Sequence, residues 1–194
     1  MESIRELLVE EMRDLYDAEK QLVKALPKMA KTSSSDALRD AIESHLEQTK
    51  GHVQRLEQAF ELLDGKARSK PCKAMKGLIE EGKETMAEDL SEPLMDSALI
   101  CVAQKVEHYE IAGYGTVSAW ARSLGLDDVA ELLEATLAEE READEKLTQV
   151  AGDVLSEAEL AQEGEEQADA ELGGQRRSVA SKSGNGSRAR RRAS

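Results

Sequence analysis

Steps of four and three residues trace four apolar rows through the chain, and each row is interrupted near its middle by an oxygen-bearing side chain. The first row is Leu8, Met12, Leu15, Glu19, Leu22, Leu26, Met29, and the second is Ile42, Leu46, Thr49, Val53, Leu56, Phe60, Leu63. The third is Leu99, Ala103, Val106, Glu110, Gly113, Val117, Trp120, and the last is Leu133, Leu137, Glu140, Asp144, Leu147, Ala151. If these rows share one core, Glu19, Glu110, Glu140 and Asp144 converge where an uncompensated carboxylate costs several kcal/mol. A domain has only about 5–15 kcal/mol of stability to lose, so the acids need a cation among them or must hold protons. Converging oxygen donors with a few imidazoles suit iron or manganese, in carboxylate-bridged pairs. His45 and His52 are the candidate nitrogen donors, each one residue before a core position and within a turn of Thr49. Glu107, one turn before Glu110 on the same side, is placed to ligate or to support it. His108 points away from its row, and Glu47, Lys50, Glu139 and Glu142 read as solvated faces. The plainer alternative has the acids at the rim of wide stripes, facing water. For one Glu in a chain that is 34% charged that alternative wins; four matching rows interrupted at one depth, with four acids among them, favour a metal.

The elements that must carry these rows follow from the breaks between them. Thr32-Ser33-Ser34-Ser35-Asp36 stops one helix and caps the next, and Ser123-Leu124-Gly125-Leu126-Asp127 repeats the device. Four long helices are predicted, over about 2–31, 35–63, 94–123 and 127–151, with Pro27 loosening the end of the first. A connection over about 65–93 joins the two pairs and carries a short helix from Met75 to Met86. A shift of 91 residues pairs Leu8 with Leu99, Glu19 with Glu110 and Leu46 with Leu137, which marks an internal duplication. Glu19, Thr49, Glu110 and Glu140 all fall about 15 residues from their hairpin loops, hence in one layer some 22 Å deep at about 1.5 Å per residue. Two helical hairpins joined by one long crossover describe an all-α, ferritin-like four-helix bundle.

Composition agrees and excludes other classes. The 194 residues carry a formal charge of -14, so the body repels nucleic acid and anionic lipid. Aromatic residues are 3% of the chain, which disfavours a β-sandwich or barrel. Cys72 and Cys101 form neither a disulfide framework nor a zinc motif, and no Gly-rich phosphate loop or nucleophile setting is present. The start is acidic and amphipathic, unlike a signal peptide, and no stretch is long and apolar enough for a membrane, so a cytoplasmic location is expected. The bundle is assigned to 1–152, a short acidic helical extension to 153–163, and a disordered tail, acidic then polybasic, to 164–194.

The segments LYDAEKQL (15–22), AIESHLEQTKGHVQRLE (41–57), QKVEHYEIAGYGT (104–116) and ATLAEEREADEKLT (135–148) resemble, in order and spacing, the YciE/YciF ferritin-like family. The resemblance covers nearly all of 1–152 and implies a bundle that pairs as a homodimer, a link to bacterial stress responses and a dinuclear metal site. It falls most securely on Glu19, Glu110 and Glu140. One departure is plain: ferritin-like di-iron proteins commonly carry Glu-x-x-His on two helices, and none occurs here. Two functions follow. One is a redox metalloprotein holding iron or manganese at Glu19, His45, His52, Glu107, Glu110, Glu140 and Asp144, consuming oxygen or peroxide or oxidising Fe(II), with Tyr16 or Tyr109 passing electrons. The other is a non-enzymatic stress protein whose polybasic tail, Arg188 to Arg192, contacts nucleic acid or an acidic partner.

Overall fold

The computed structural model describes residues 3–184, with side chains through Leu160 apart from Ala158. Ser3 opens the first helix, its hydroxyl oxygen accepting from the Glu6 amide at 3.2 Å, and α1 runs Ile4–Thr32 straight through Pro27. Ser35 caps the second helix in the same way, accepting from the Leu38 amide at 3.4 Å, and α2 spans Asp36–Leu62. After the crossover and its short α3 (Lys73–Thr85), α4 spans Glu92–Ser123 with Pro93 in its first turn, where a missing N–H costs nothing. The turn into α5 (Asp127–Gly184) passes through Gly125 at φ +69°, a left-handed conformation that glycine adopts without strain. The 91-residue shift carries Thr32 onto Ser123 and Asp36 onto Asp127, so the duplication read from side chains also sets the helix boundaries. α1, α2, α4 and α5 form the expected ferritin-like bundle of two hairpins.

The core is split. One apolar cluster gathers Leu22, Leu26, Ile42, Leu99, Val106 and Leu147; another gathers Leu8, Leu15, Leu56, Tyr114, Leu133 and Leu137. Between them lies a layer of buried polar side chains, Glu19, His45, Thr49, His52, Glu107, Glu110 and Glu140. The inward face of α2 is Leu38, Ile42, His45, Thr49, His52, Leu56 and Ala59, one position round from the row through Leu46 and Val53, which are only half-buried. Both histidines therefore point into the bundle, where acids on the other helices meet them.

The crossover is strapped along α1. The Lys70 amide donates to the Arg13 carbonyl, Arg13 Nε donates to the Arg68 carbonyl, and the Cys72 amide donates to Asp17. α3 then packs on α1 and α4 with Met75 fully buried, and a side chain at Gly82 would meet Val102 at 2.9 Å.

Met1–Leu155 is one compact unit and Ser156–Ser194 another. The described helical backbone of α5 extends to Gly184. No proline occurs between 127 and 184, and Ala and Glu are strong helix formers, so nothing covalent stops the helix there. The polybasic run Arg188–Arg192 lies outside the described residues.

Asp96, on α4, is 2% exposed and accepts from the Ser34 amide (3.0 Å), the Ser35 amide (2.7 Å) and the Ser34 hydroxyl (2.5 Å), tying the α1–α2 turn to the second hairpin. Hydrogen bonds to a buried charge are worth more than neutral ones. Asp96→Ala is expected to cost about 2 kcal/mol, read as a lower urea midpoint with unchanged slope. A shift of less than about a quarter of that would show the clasp to be idle.

Candidate metal centre

α1 and α4 bring Glu19 and Glu110 inward because each occupies the middle of an apolar row, and α5 does the same with Glu140; all three side chains are fully buried. α4 adds Glu107, one turn earlier, at 3% exposure. α2 adds His45 and His52, at 6% and 0%. These six residues form two groups whose donor atoms all lie within 4.8 Å of one another: His45, Glu107, Glu110 and Glu140 in one, and Glu19, His52 and Glu140 in the other. Glu140 belongs to both.

Hydrogen bonding does not explain this convergence. Nine buried side-chain nitrogen and oxygen atoms among the described residues lack a hydrogen-bond partner, and all nine belong to these six residues. They include both oxygens of Glu110, both of Glu140 and both ring nitrogens of His45. His45 Nε2 is 3.4 Å from Glu107 and 3.8 Å from Glu140, and His52 Nδ1 is 3.0 Å from Glu140 and 3.4 Å from Glu19. The approach of His52 Nδ1 to Glu140 is short but off the line of a hydrogen bond. Orphaned buried groups cost roughly 1–3 kcal/mol each, so nine of them rival the whole stability of a domain.

The surroundings orient the donors. His52 Nε2 lies 2.9 Å from Glu139, whose carboxylate is gripped by both terminal nitrogens of Arg55 at 2.8 and 2.5 Å. With Nε2–H donating to Glu139, Nδ1 faces Glu19 and Glu140, the arrangement in which a carboxylate would hold a metal-binding imidazole in one tautomer. The Tyr114 hydroxyl, also fully buried, donates to Glu19 at 2.5 Å and leaves Glu19 Oε2 free. Thr49 donates to the His45 carbonyl at 2.8 Å, so it fills the layer without offering its oxygen to the acids.

Burial, reinforced by the neighbouring carboxylates, pushes Glu107 and Glu110 well above the ordinary carboxylate value. Glu19 is raised by burial as well, against the pull of His52. Burial also pushes Glu140 up, but His52 and His45 outweigh it and hold Glu140 below the ordinary value. His52 resists its own burial because Glu140 and Glu19 face it, and it is pushed up to about 10, whereas burial drives His45 down. Without metal the surroundings therefore favour the protonated forms of Glu107, Glu110 and His52. A cation would replace those protons.

Six of the seven expected ligands meet here. Asp144 does not: it is half-buried, accepts from Gln104 at 3.2 Å and stands 3.4 Å from the exposed His108. One turn beyond Glu140 the face of α5 has rotated Asp144 toward the edge of α4. Glu139, expected in solvent, instead holds His52. Neither expected tyrosine reaches the six: Tyr16 donates to Glu57 at 2.7 Å, and Tyr109 donates to Asp14 beside Cys72. Tyr114 is the one that does, and its spacing of four from Glu110 and seven from Glu107 marks it as facing the same way.

The donor inventory, four Glu and two His, is that of the ferritin-like dinuclear proteins, distributed differently. Glu107 and Glu110 form a Glu-x-x-Glu pair on α4, and both imidazoles come from α2, seven residues apart. The missing Glu-x-x-His motif thus removes no donor.

Comparison with known proteins identifies the family. Residues 3–161 match the family described as a domain of unknown function, DUF892. Protein YciF of Escherichia coli is 43% identical over 152 residues, covering 78% of this chain and 92% of that protein. The crystal structure of the E. coli stress protein YciF superposes with a TM-score of 0.78 at 42% identity, over 80% of this chain and 99% of that one. YcfI of Rhodopseudomonas palustris gives 0.74 at 43%, over 76% and 94%, and a protein of Xanthomonas campestris gives 0.67 at 27%, over 84% and 99%. The chain belongs to the DUF892 family and is a relative of YciF, as its four motifs indicated.

Proposed function

We propose that this chain is a stress-response metalloprotein whose bundle holds a carboxylate-bridged pair of iron or manganese ions. The observation that carries this reading is the ownership of all nine orphaned buried atoms by six residues that divide into two donor groups sharing Glu140. The E. coli relative is described as a stress protein, which supplies the physiological setting. Iron or manganese bound there supplies redox chemistry with oxygen or peroxide, or oxidation of Fe(II).

The chain's own residues have separable tasks. Glu140 spans the two halves. His45, Glu107 and Glu110 complete one, and Glu19 and His52 complete the other. Arg55 through Glu139 fixes the His52 ring, and Tyr114 fixes the Glu19 carboxylate. Leu15, Leu22, Val106 and Leu133, all buried above and below the layer, exclude water and strengthen every charge interaction inside it.

Metal-free protein titrated with Mn(II), or with Fe(II) under anaerobic conditions, is expected to take up two ions per chain. Glu140→Ala should abolish both, whereas His45→Ala and His52→Ala should each lose one. Metal analysis after desalting reads this directly, and wild-type protein that retains no ion sinks the proposal.

The protons on the centre give the metal-free form a characteristic pH response. Glu107 and Glu110 are raised above 4.5, so the folded chain keeps protons that the unfolded chain releases. The stability they contribute is full below 4.5 and is lost as pH rises through their folded values. His52, raised from 6.5 to about 10, acts in the same direction. Glu110→Gln removes one of these groups and keeps its shape. The melting temperature of metal-free Glu110→Gln should therefore gain on wild type steadily from pH 5 to pH 8. Metal-loaded wild type should do the opposite, since binding displaces protons and tightens with pH. Parallel melting curves for the two metal-free proteins would contradict the assigned protonation.

A further inference from the structure

Two openings reach the buried layer, and their chemistry differs. The larger, about 410 Å³, lies between α2 and α5 and ends on His45 and Glu107. The smaller, about 90 Å³, is lined by Leu22, Met29, Ile79 and Val102 and also touches Glu107. At the larger opening three exposed carboxylates, Asp40, Glu142 and Glu145, stand against one ammonium, Lys146. The walls add the polar side chains of Ser44, exposed, and Gln48, half-buried, and His45 closes the inner end with both its ring nitrogens buried and unpartnered.

We infer that the α2–α5 opening is the route by which hydrated divalent cations reach the centre, and that His45 is the first donor they meet. The inference rests on the metal reading and adds a direction to it. The larger opening has more than four times the volume of the smaller one. The apolar walls of the smaller offer nothing in exchange for shed water, whereas the acidic rim raises the local cation concentration and the polar throat replaces water ligands in steps. Glu19 and His52 are fully buried and line neither opening, so their half of the centre fills after the His45 half.

Stopped-flow absorption of Co(II) uptake by the metal-free full chain tests this. The triple variant Asp40→Asn, Glu142→Gln, Glu145→Gln should load about tenfold more slowly than wild type at low ionic strength. The two rates should converge in high salt, where such fields are screened, and the final Co(II) per chain should be equal. Ser44→Trp, which narrows the throat without touching the rim charges, should slow uptake at every salt concentration. A triple variant that loads at the wild-type rate in low salt overturns the route, and so does uptake slowed only by Gly82→Val, which constricts the apolar opening. If wild type takes up no Co(II) at all, the metal reading itself fails; loading to the same extent at indistinguishable rates removes only the route.

Discussion

Burial of like charge organises this molecule. Glu19, Glu107, Glu110 and Glu140 are brought from three helices into a layer closed above and below by Leu, Val and Met, with two imidazoles as their nearest basic groups. Hydrogen bonds within the chain do not answer the charge, because nine donor and acceptor atoms among the described residues have no partner. The layer also divides the apolar core in two, so neither cluster is continuous from one end of the bundle to the other. Such a centre is tolerable as a binding site and poor as structural filler, since apolar side chains of the same volume would stabilise the fold at least as well.

The architecture was legible because the signals were long and repeated. The rows of seven apolar positions, the paired Ser/Asp caps and the 91-residue shift each concern many residues, so local ambiguity averages out. The carboxylates at row centres were legible for the same reason. What the rows hid was rotation about a helix axis. On α2 a one-position shift, about 100° of turn, moves Leu46 and Val53 to the flank and brings His45 and His52 inward. On α5 the same geometry carries Asp144 out of the layer. The Arg55–Glu139–His52 chain was beyond reach for another reason: it joins residues more than eighty apart, and only the docking of α2 against α5 makes Glu139 a partner rather than a solvated acid.

The duplicated hairpins have diverged in what they donate. The first supplies Glu19 and both histidines; the second supplies Glu107, Glu110 and Glu140. Neither half has a full set of donors, so ions bound as proposed would tie together segments some ninety residues apart in sequence, without a covalent bond. Pulling the hairpins apart would then require those ions to leave, and metal would stabilise the folded chain by mass action. In a chain whose two cysteines are both free, the centre would then act as a reversible staple, fastened or released by the supply of metal in its surroundings.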